Sequence, residues 1–213
     1  VAALIVEPIQ GEAGYIVPPK DYLPKLEKIC KKNGFILIVD EVQSGFGRTG
    51  KMFACDHYGV QPDIICLAKA LAAGLPMGAT VAKSDVANWE EGAHSNTYGG
   101  NLLACAASLA SISIIKKEKL YEKASSLGEH ALKRLNEIKE ESEIVGDVRG
   151  KGLMIGVEFV KDKKTKENAV KETEKITVEA FKKGLILLPV GASCVRIAPP
   201  LNIQTELLDK GLD

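Results

Sequence analysis

Residues 64–78 read IICLAKALAAGLPMG, and they decide how the rest of the chain is interpreted. An apolar run at 64–68 leads directly into Lys69, and a second apolar run follows at 70–73. Burying an ammonium group is unfavourable unless it is paired or neutralised. A desolvated lysine loses its proton readily and can then act as an amine nucleophile that forms a Schiff base. Alternatively, the stem of Lys69 lies on apolar surface at a strand end while its head reaches water, and this stretch alone favours that simpler interpretation.

Apolar runs elsewhere in the first half predict a sheet around this stretch. Residues 1–6 (VAALIV) and 35–39 (FILIV) have the continuous apolar character of buried strands, and further strands are predicted at 63–67 and 79–82. The apolar spacing at 21–32 predicts a helix between the first two strands. Strands that alternate with helices on short loops indicate a largely parallel sheet that is covered on both faces. The first half is therefore predicted to have an α/β fold.

Three ionisable side chains follow these predicted strands. Glu7, Asp40 and Lys69 each come just after an apolar run. In open parallel sheets, ligands bind outside the carboxyl ends of the strands. We therefore expect the three groups to lie at one edge of the sheet and to form a site there.

The second half has the pattern of a small α+β domain. An alanine-rich, almost uncharged helix is predicted at 101–115, and the composition becomes strongly charged after Lys116. We place the border so that residues 1–118 belong to a large domain and residues 119–213 to a small one. The elements predicted beyond the border are a charged amphipathic helix or helix pair at 119–143, a glycine-punctuated turn region at 145–152, a strand at 153–160, a helix at 168–183, strands at 185–189 and 194–198, and a helix from 204 with Thr205 as its N-cap.

The composition excludes several classes of protein. The 213 residues include 28 basic and 28 acidic side chains, so the net charge of zero offers no attraction for nucleic acid or an anionic membrane. The five cysteines are widely spaced and form neither a disulfide framework nor a metal site, which favours a reducing, cytoplasmic location. No signal peptide is visible, and the chain looks like a piece of a longer polypeptide.

Two nucleotide-binding motifs are also present, but their context is wrong. Residues 45–50 match G-x-G-x-x-G, yet 40–44 separate them from the preceding strand. Residues 45–51 match most of a phosphate-binding loop, but Met52 stands where a magnesium-binding Ser or Thr is needed. An ATPase is therefore excluded, because the features that its nucleotide-binding motifs require are missing.

Four motifs in register resemble the class III pyridoxal-phosphate-dependent aminotransferases, which include the 4-aminobutyrate, ornithine and acetylornithine enzymes. The spacing of Asp40 and Lys69 also fits that family, and the resemblance extends over the whole chain. It implies a fold type I PLP-transferase, with the mainly parallel sheet of the large domain followed by a small α+β C-terminal domain. The motifs are EPIQGE at 7–12, DEVQSGFGRTG at 40–50, LAK at 67–69 and NTYGGN at 96–101.

The resemblance implies a role for four residues toward pyridoxal 5'-phosphate. Lys69 forms the Schiff base with the cofactor and moves the proton during the reaction. Asp40 pairs with the protonated pyridine nitrogen, which keeps the ring an electron sink. Val42 packs against the ring and Gln43 hydrogen-bonds its phenolic oxygen. Without the family, Asp40 could equally be a strand-end surface acid and Gln43 a solvated loop amide.

Three further residues are implied to bind the phosphate or the substrate. Thr97 resembles the residue that contacts the cofactor phosphate of the neighbouring subunit, which implies a homodimer with shared sites. Arg196 resembles the arginine that takes the substrate α-carboxylate. Glu7 resembles the carboxylate that pairs with this arginine when an ω-amino substrate leaves it without a partner. The simpler alternatives are a local turn at Thr97 and a structural ion pair between Glu7 and Arg196.

The resemblance implies amino transfer from an ω-amino or diamino acid to a 2-oxo acid such as 2-oxoglutarate. An amino-acid racemase or epimerase of the same family is an alternative, because it uses the same lysine and aspartate. A non-catalytic fragment that serves as a dimerisation module is a further alternative. Family members are longer, and their upstream half, which carries the phosphate loop and the residues that choose the substrate, is absent here. We therefore expect that residues 1–213 alone do not hold the cofactor stably.

Overall fold

The computed structural model describes residues 1–213, which form two compact units. The first unit consists of Val1–Pro8, Pro18–Gly47 and Lys51–Lys119. The second consists of Leu120–Asp213 together with two short pieces of the first half, Ile9–Val17 and Arg48–Gly50. Local sequence pattern does not indicate that these two pieces belong with the second half.

The first unit is built on a four-stranded sheet in the order β1-β2-β3-β4. β1, β2 and β3 run parallel, while β4 is antiparallel to β3, so the sheet is mixed but mostly parallel. The α/β fold predicted from the sequence is confirmed. The elements of this unit are β1 (Ala3–Val6), α1 (Tyr22–Asn33), β2 (Ile36–Asp40), β3 (Ile64–Leu67), β4 (Ala79–Ala82) and α2 (Leu102–Lys117).

Local signals in the sequence set the ends of both helices of the first unit. α1 ends at Gly34, which adopts a left-handed conformation with φ 70° and donates its N–H to the carbonyl of Cys30. α2 begins after Asn101, whose side chain accepts the N–H groups of Leu103 and Ala104 at 3.1 and 3.2 Å. Two 3₁₀ turns, Ala54–His57 and Lys69–Ala72, complete the unit.

The second unit contains a four-stranded antiparallel sheet in the order β5-β6-β8-β7. Its core joins this sheet to the apolar sides of helices, with Leu135, Ile155, Phe159 and Val195 among the buried side chains. The elements are α3 (Leu120–Glu141), β5 (Val145–Lys151), β6 (Met154–Phe159), α4 (Val170–Lys182), β7 (Leu188–Val190), β8 (Cys194–Ile197) and α5 (Thr205–Leu212).

Two predictions for the second unit are wrong. The glycine-punctuated region at 145–152 is mostly a strand, β5, because its glycines allow close packing: a Cβ on Gly150 would lie 2.5 Å from the carbonyl oxygen of Met154 in β6. Thr205 is not an N-cap but the first helical residue of α5, and Gln204 precedes it in extended conformation. None of the helices combines the length and the apolar character that crossing a bilayer requires.

Candidate active site

Asp40 is the last residue of β2 and lies at the carboxyl edge of the first unit's sheet. It pairs in register with Cys66 of β3, and its Oδ1 accepts the N–H of Val42 at 2.9 Å. This bond turns the chain back directly after the strand, and Val42 and Gln43 follow in that turn, each half-buried. The carboxylate is therefore held by its own loop.

Lys69 lies at the same edge, two residues beyond the end of β3. β2 and β3 are adjacent and parallel, and Asp40 is paired in register with Cys66. The two strands therefore end at the same edge, with Asp40 as the last residue of β2 and Lys69 shortly after β3. The side chain of Lys69 is exposed in this chain. The 3₁₀ turn that begins at Lys69 buries Leu71 and Ala72.

The backbone at Lys69 is strained. Lys69 has φ 45°, in the left-handed region that non-glycine residues rarely adopt, and Ala73 at the other end of the 3₁₀ turn has φ 50°. Each such residue costs about 1–2 kcal/mol, and strain of this kind is concentrated at functional sites. Four other non-glycine residues also have a positive φ (Tyr15, Phe46, Lys119 and Lys166), so this geometry is not specific to the sheet edge.

Glu7 and Thr97 are also exposed residues of the first unit. Glu7 directly follows β1, and because Val6 is paired in register with Val39, Glu7 lies at the same sheet edge as Asp40. The structure therefore brings Glu7, Asp40 and Lys69 to one edge, as expected from the strand ends. Thr97 lies outside regular secondary structure, between β4 and α2.

Glu41, which the family motif does not mark as a site residue, is fully buried at 0% exposure beside the half-buried Asp40. Its Oε2 accepts the hydroxyl of Ser44 at 2.5 Å and its Oε1 accepts the N–H of Cys55 at 2.8 Å. Burial, and secondarily the nearby Glu41, raise the pKa of the Cys55 thiol and of the Tyr58 hydroxyl. Two adjacent acids after an apolar strand look alike in sequence, so no local signal distinguishes the buried one.

Arg196 belongs to the second unit, where β8 carries it. Its Nη1 lies 2.7 Å from Oε1 of Glu12, which belongs to the same unit. The predicted pair of Arg196 with Glu7 stays a prediction. The motif at 7–12 thus supplies one acid, Glu12, that forms an ion pair with the arginine within the second unit.

Two more polar side chains accompany Arg196 in the second unit. Burial raises the pKa of the Tyr15 hydroxyl, although the positive charges of Arg196 and Arg48 oppose the shift. The Nη1 of Arg48 donates to the carbonyl oxygens of Leu153 and Pro199 at 3.1 and 2.6 Å, and burial lowers the pKa of its guanidinium. Arg48 thus hydrogen-bonds the backbone at Pro199, three residues after Arg196. No cluster of His, Cys, Asp and Glu side chains suited to a metal ion is present.

The fold and the site define an α/β protein with a lysine and an aspartate at the carboxyl edge of a mostly parallel sheet. Residues 1–213 match the family model for class-III aminotransferases. The chain therefore belongs to the class-III aminotransferase family.

Individual relatives differ in their activities. The chain is 50% identical over 214 residues to a leucine/methionine racemase of Thermococcus litoralis, an alignment that covers 100% of this chain and 48% of the racemase. It is 44% identical over 219 residues to a 4-aminobutyrate aminotransferase of Mycobacterium tuberculosis, covering 100% of this chain and 49% of the relative. The chain spans about half the length of the curated relatives that it matches.

Solved structures share the fold. An amine transaminase from an uncultivated Pseudomonas species, in its PLP-bound (internal aldimine) form, has a TM-score of 0.94 to this chain at 39% identity. The match covers 100% of this chain and 50% of the transaminase. At this level of identity, the similarity extends to sequence as well as to the path of the backbone.

Proposed function

We propose that the protein to which this chain belongs transfers an amino group from an ω-amino or diamino acid to a 2-oxo acid such as 2-oxoglutarate, with pyridoxal 5'-phosphate as cofactor. The observation that carries the proposal is the pairing of Asp40 with Cys66, which puts Asp40 and Lys69 at one sheet edge. Family membership supports it.

The chemistry of the donor set fits pyridoxal phosphate. A primary amine suits its aldehyde, a carboxylate suits a protonated pyridine nitrogen, and an amide suits a phenolic oxygen. Lys69, Asp40 and Gln43 supply these groups within one unit, and Val42 supplies an apolar contact beside them. When bound, the cofactor supplies an electron sink for a carbanion at the substrate Cα.

The roles proposed for this chain's own residues follow from their chemistry. Asp40 would hold the protonated pyridine nitrogen of the cofactor. Lys69 would hold the cofactor through its aldehyde group and would carry a proton as general base and then general acid. Thr97 is proposed to contact a phosphate group, and a homodimer with Thr97 serving the neighbouring site remains a prediction, as does a cytoplasmic location.

Arg196 is proposed to take the substrate α-carboxylate, because a guanidinium binds a carboxylate through two parallel hydrogen bonds. Glu7 is proposed to pair with this arginine when the amino donor presents no α-carboxylate to it. Glu12, whose Oε1 lies 2.7 Å from Nη1 of Arg196, is proposed to hold the arginine in the same state.

Replacing Lys69 with Ala in the full-length protein tests the proposal. We expect amino transfer to fall by about a thousandfold or more, because the nucleophile and the proton carrier are lost together. Lys83→Ala is the matched control, since Lys83 belongs to the same unit but pairs with Asp63 at 2.8 Å. Unchanged transfer by Lys69→Ala would disprove catalysis by this site and would favour the alternative of a non-catalytic dimerisation module.

Racemisation is the second candidate, favoured by the 50% identity to the Thermococcus litoralis racemase. It uses the same lysine but returns the proton to the opposite face of Cα, so it needs no 2-oxo acid. Chiral analysis of products, with and without 2-oxoglutarate, separates the two functions. Inversion of an amino acid in the absence of any acceptor would establish the racemase.

A further inference from the structure

Burial of the Glu41 side chain is energetically unfavourable, because the side chain is a carboxylate. The carboxylate is fully buried, at 0% exposure, and the groups that donate to it, among them the Ser44 hydroxyl and the Cys55 N–H, are neutral. Acidic side chains are almost never fully buried without a cationic partner, because transfer of the charge out of water is strongly unfavourable. An apolar side chain of similar size would fill this space with less cost. The carboxylate therefore needs a role that an apolar side chain cannot supply.

The hydrogen bonds of Glu41 join four pieces of the first unit. Its backbone N–H donates to Cys66 of β3 at 3.0 Å, and its carbonyl accepts the N–H of Gly45 at 2.9 Å. Its carboxylate reaches the turn at Ser44 and the 3₁₀ turn at Cys55. Glu41 thus ties the end of β2 to β3, to the loop that follows β2, and to Ala54–His57.

The space around this loop is closely filled, so the loop has little freedom to move. A Cβ added to Gly45 would lie 2.8 Å from the carbonyl oxygen of Glu41 and 3.5 Å from its Cβ. Ser44 is also buried, at 1% exposure. The loop is therefore packed directly onto the residue that anchors it.

Two of the residues proposed to contact the cofactor ring, Asp40 and Gln43, lie on either side of this anchor. Asp40 precedes Glu41 directly, and Gln43 lies one residue before Ser44, the serine that the carboxylate holds. We propose that Glu41 is a positioning residue that fixes the Asp40–Gln43 loop for the cofactor ring. This inference rests on the proposed function, because it assigns Glu41 a task at the same site.

Cofactor affinity of the full-length protein tests the inference, measured by titrating the apoprotein with pyridoxal phosphate and following fluorescence or visible absorbance. Glu41→Ala removes both acceptors, and we expect binding to weaken by about tenfold or more. Glu41→Gln retains both hydrogen bonds, because its amide oxygen can accept from Cys55 and its NH₂ can donate to Ser44, so its affinity should stay within about twofold of wild type.

Asp63→Ala is the matched control. Oδ2 of Asp63 accepts the N–H of Leu37 at 2.8 Å, so it too ties a carboxylate to the backbone of the same sheet, near the opposite ends of β2 and β3. If Glu41 serves stability alone, both Ala variants lower the melting temperature and leave affinity unchanged. That outcome, or equal losses of affinity in the two variants, would overturn the inference.

Ser44→Ala covers the case in which Glu41→Ala does not fold. It removes one donor without opening a large cavity, and we expect about a threefold loss of affinity. Wild-type affinity in Ser44→Ala together with a large loss in Glu41→Gln would contradict positioning through these hydrogen bonds. A wild-type protein that does not bind pyridoxal phosphate at all would instead refute the proposed function, and the inference with it.

Discussion

Arg196 and Glu12 form an ion pair between residues 184 positions apart in the sequence. The side chain of Glu12 is 71% exposed and that of Arg196 is 24% exposed, so a competing carboxylate from solution can reach the pair. Exposed pairs of this kind contribute about 0.2–1 kcal/mol. An ion pair this weak allows a substrate carboxylate to displace Glu12 from Arg196. Such displacement is necessary if Glu12 is a counter-ion that exchanges with substrate.

At the residue scale, Glu12→Gln in the full-length protein should separate the two substrates kinetically. We expect the KM of the 2-oxo acid to fall by about threefold, because its carboxylate no longer competes with Glu12 for Arg196. The KM of a donor without an α-carboxylate should rise, because Arg196 then loses the carboxylate of Glu12. Glu143→Gln, the same charge change at another exposed acid of the second unit, is the control. KM values that do not move in opposite directions would show that Glu12 does not exchange with substrate.

At the scale of elements, the glycines of the second unit decide how closely its helix and strands approach. Gly128 of α3 packs against the turn between β5 and β6. A Cβ added to Gly128 would lie 2.1 Å from the carbonyl oxygen of Gly152. Gly152 in turn has φ +55°, and a Cβ there would lie 2.4 Å from the carbonyl carbon of Thr49. Three backbone segments are thus in contact without side chains between them.

The Gly128→Ala variant tests whether close backbone packing or helix propensity has the larger effect on stability at this position. Propensity alone predicts stabilisation by up to about 1 kcal/mol, because Ala is the better helix former. The structure predicts the opposite sign, a loss of about 2 kcal/mol or more, since the methyl group must displace backbone. Urea unfolding of the variant measures the difference, and Ser126→Ala, at an exposed site of the same helix, is the control that should be neutral or slightly stabilising. A more stable Gly128→Ala protein would refute the close packing.

At the scale of the whole molecule, the second unit draws on segments that are distant in sequence, and helix α2 of the first unit leaves large apolar side chains exposed. In α2, Leu102 is 84% exposed, Leu103 is 75% exposed and Leu109 is 72% exposed. Exposed apolar side chains in such a row are typical of surfaces that other protein covers. Lys69 and Thr97 are exposed in the same 213-residue chain.

We therefore predict that a polypeptide of residues 1–213 does not hold pyridoxal phosphate stably. Its Lys69 has no desolvated surroundings, and the apolar face of α2 should promote self-association and dye binding. Absorbance titration with pyridoxal phosphate measures cofactor binding, and light scattering measures self-association. The full-length protein is the reference for both measurements. A visible absorbance band that depends on Lys69, together with turnover of amino donors by this polypeptide, would contradict the prediction.

The sequence by itself determined the α/β fold, the mostly parallel sheet and the edge at which Glu7, Asp40 and Lys69 follow their strands. These features are local, because an apolar run predicts a buried strand and its last residue marks the edge. Tertiary structure alone decided that Lys69 is exposed while Glu41 is buried, and that Glu12 forms an ion pair with Arg196. Burial and ion pairing depend on which distant segments return to the same place, as Ile9–Val17 does within the second unit, and no local pattern encodes that return.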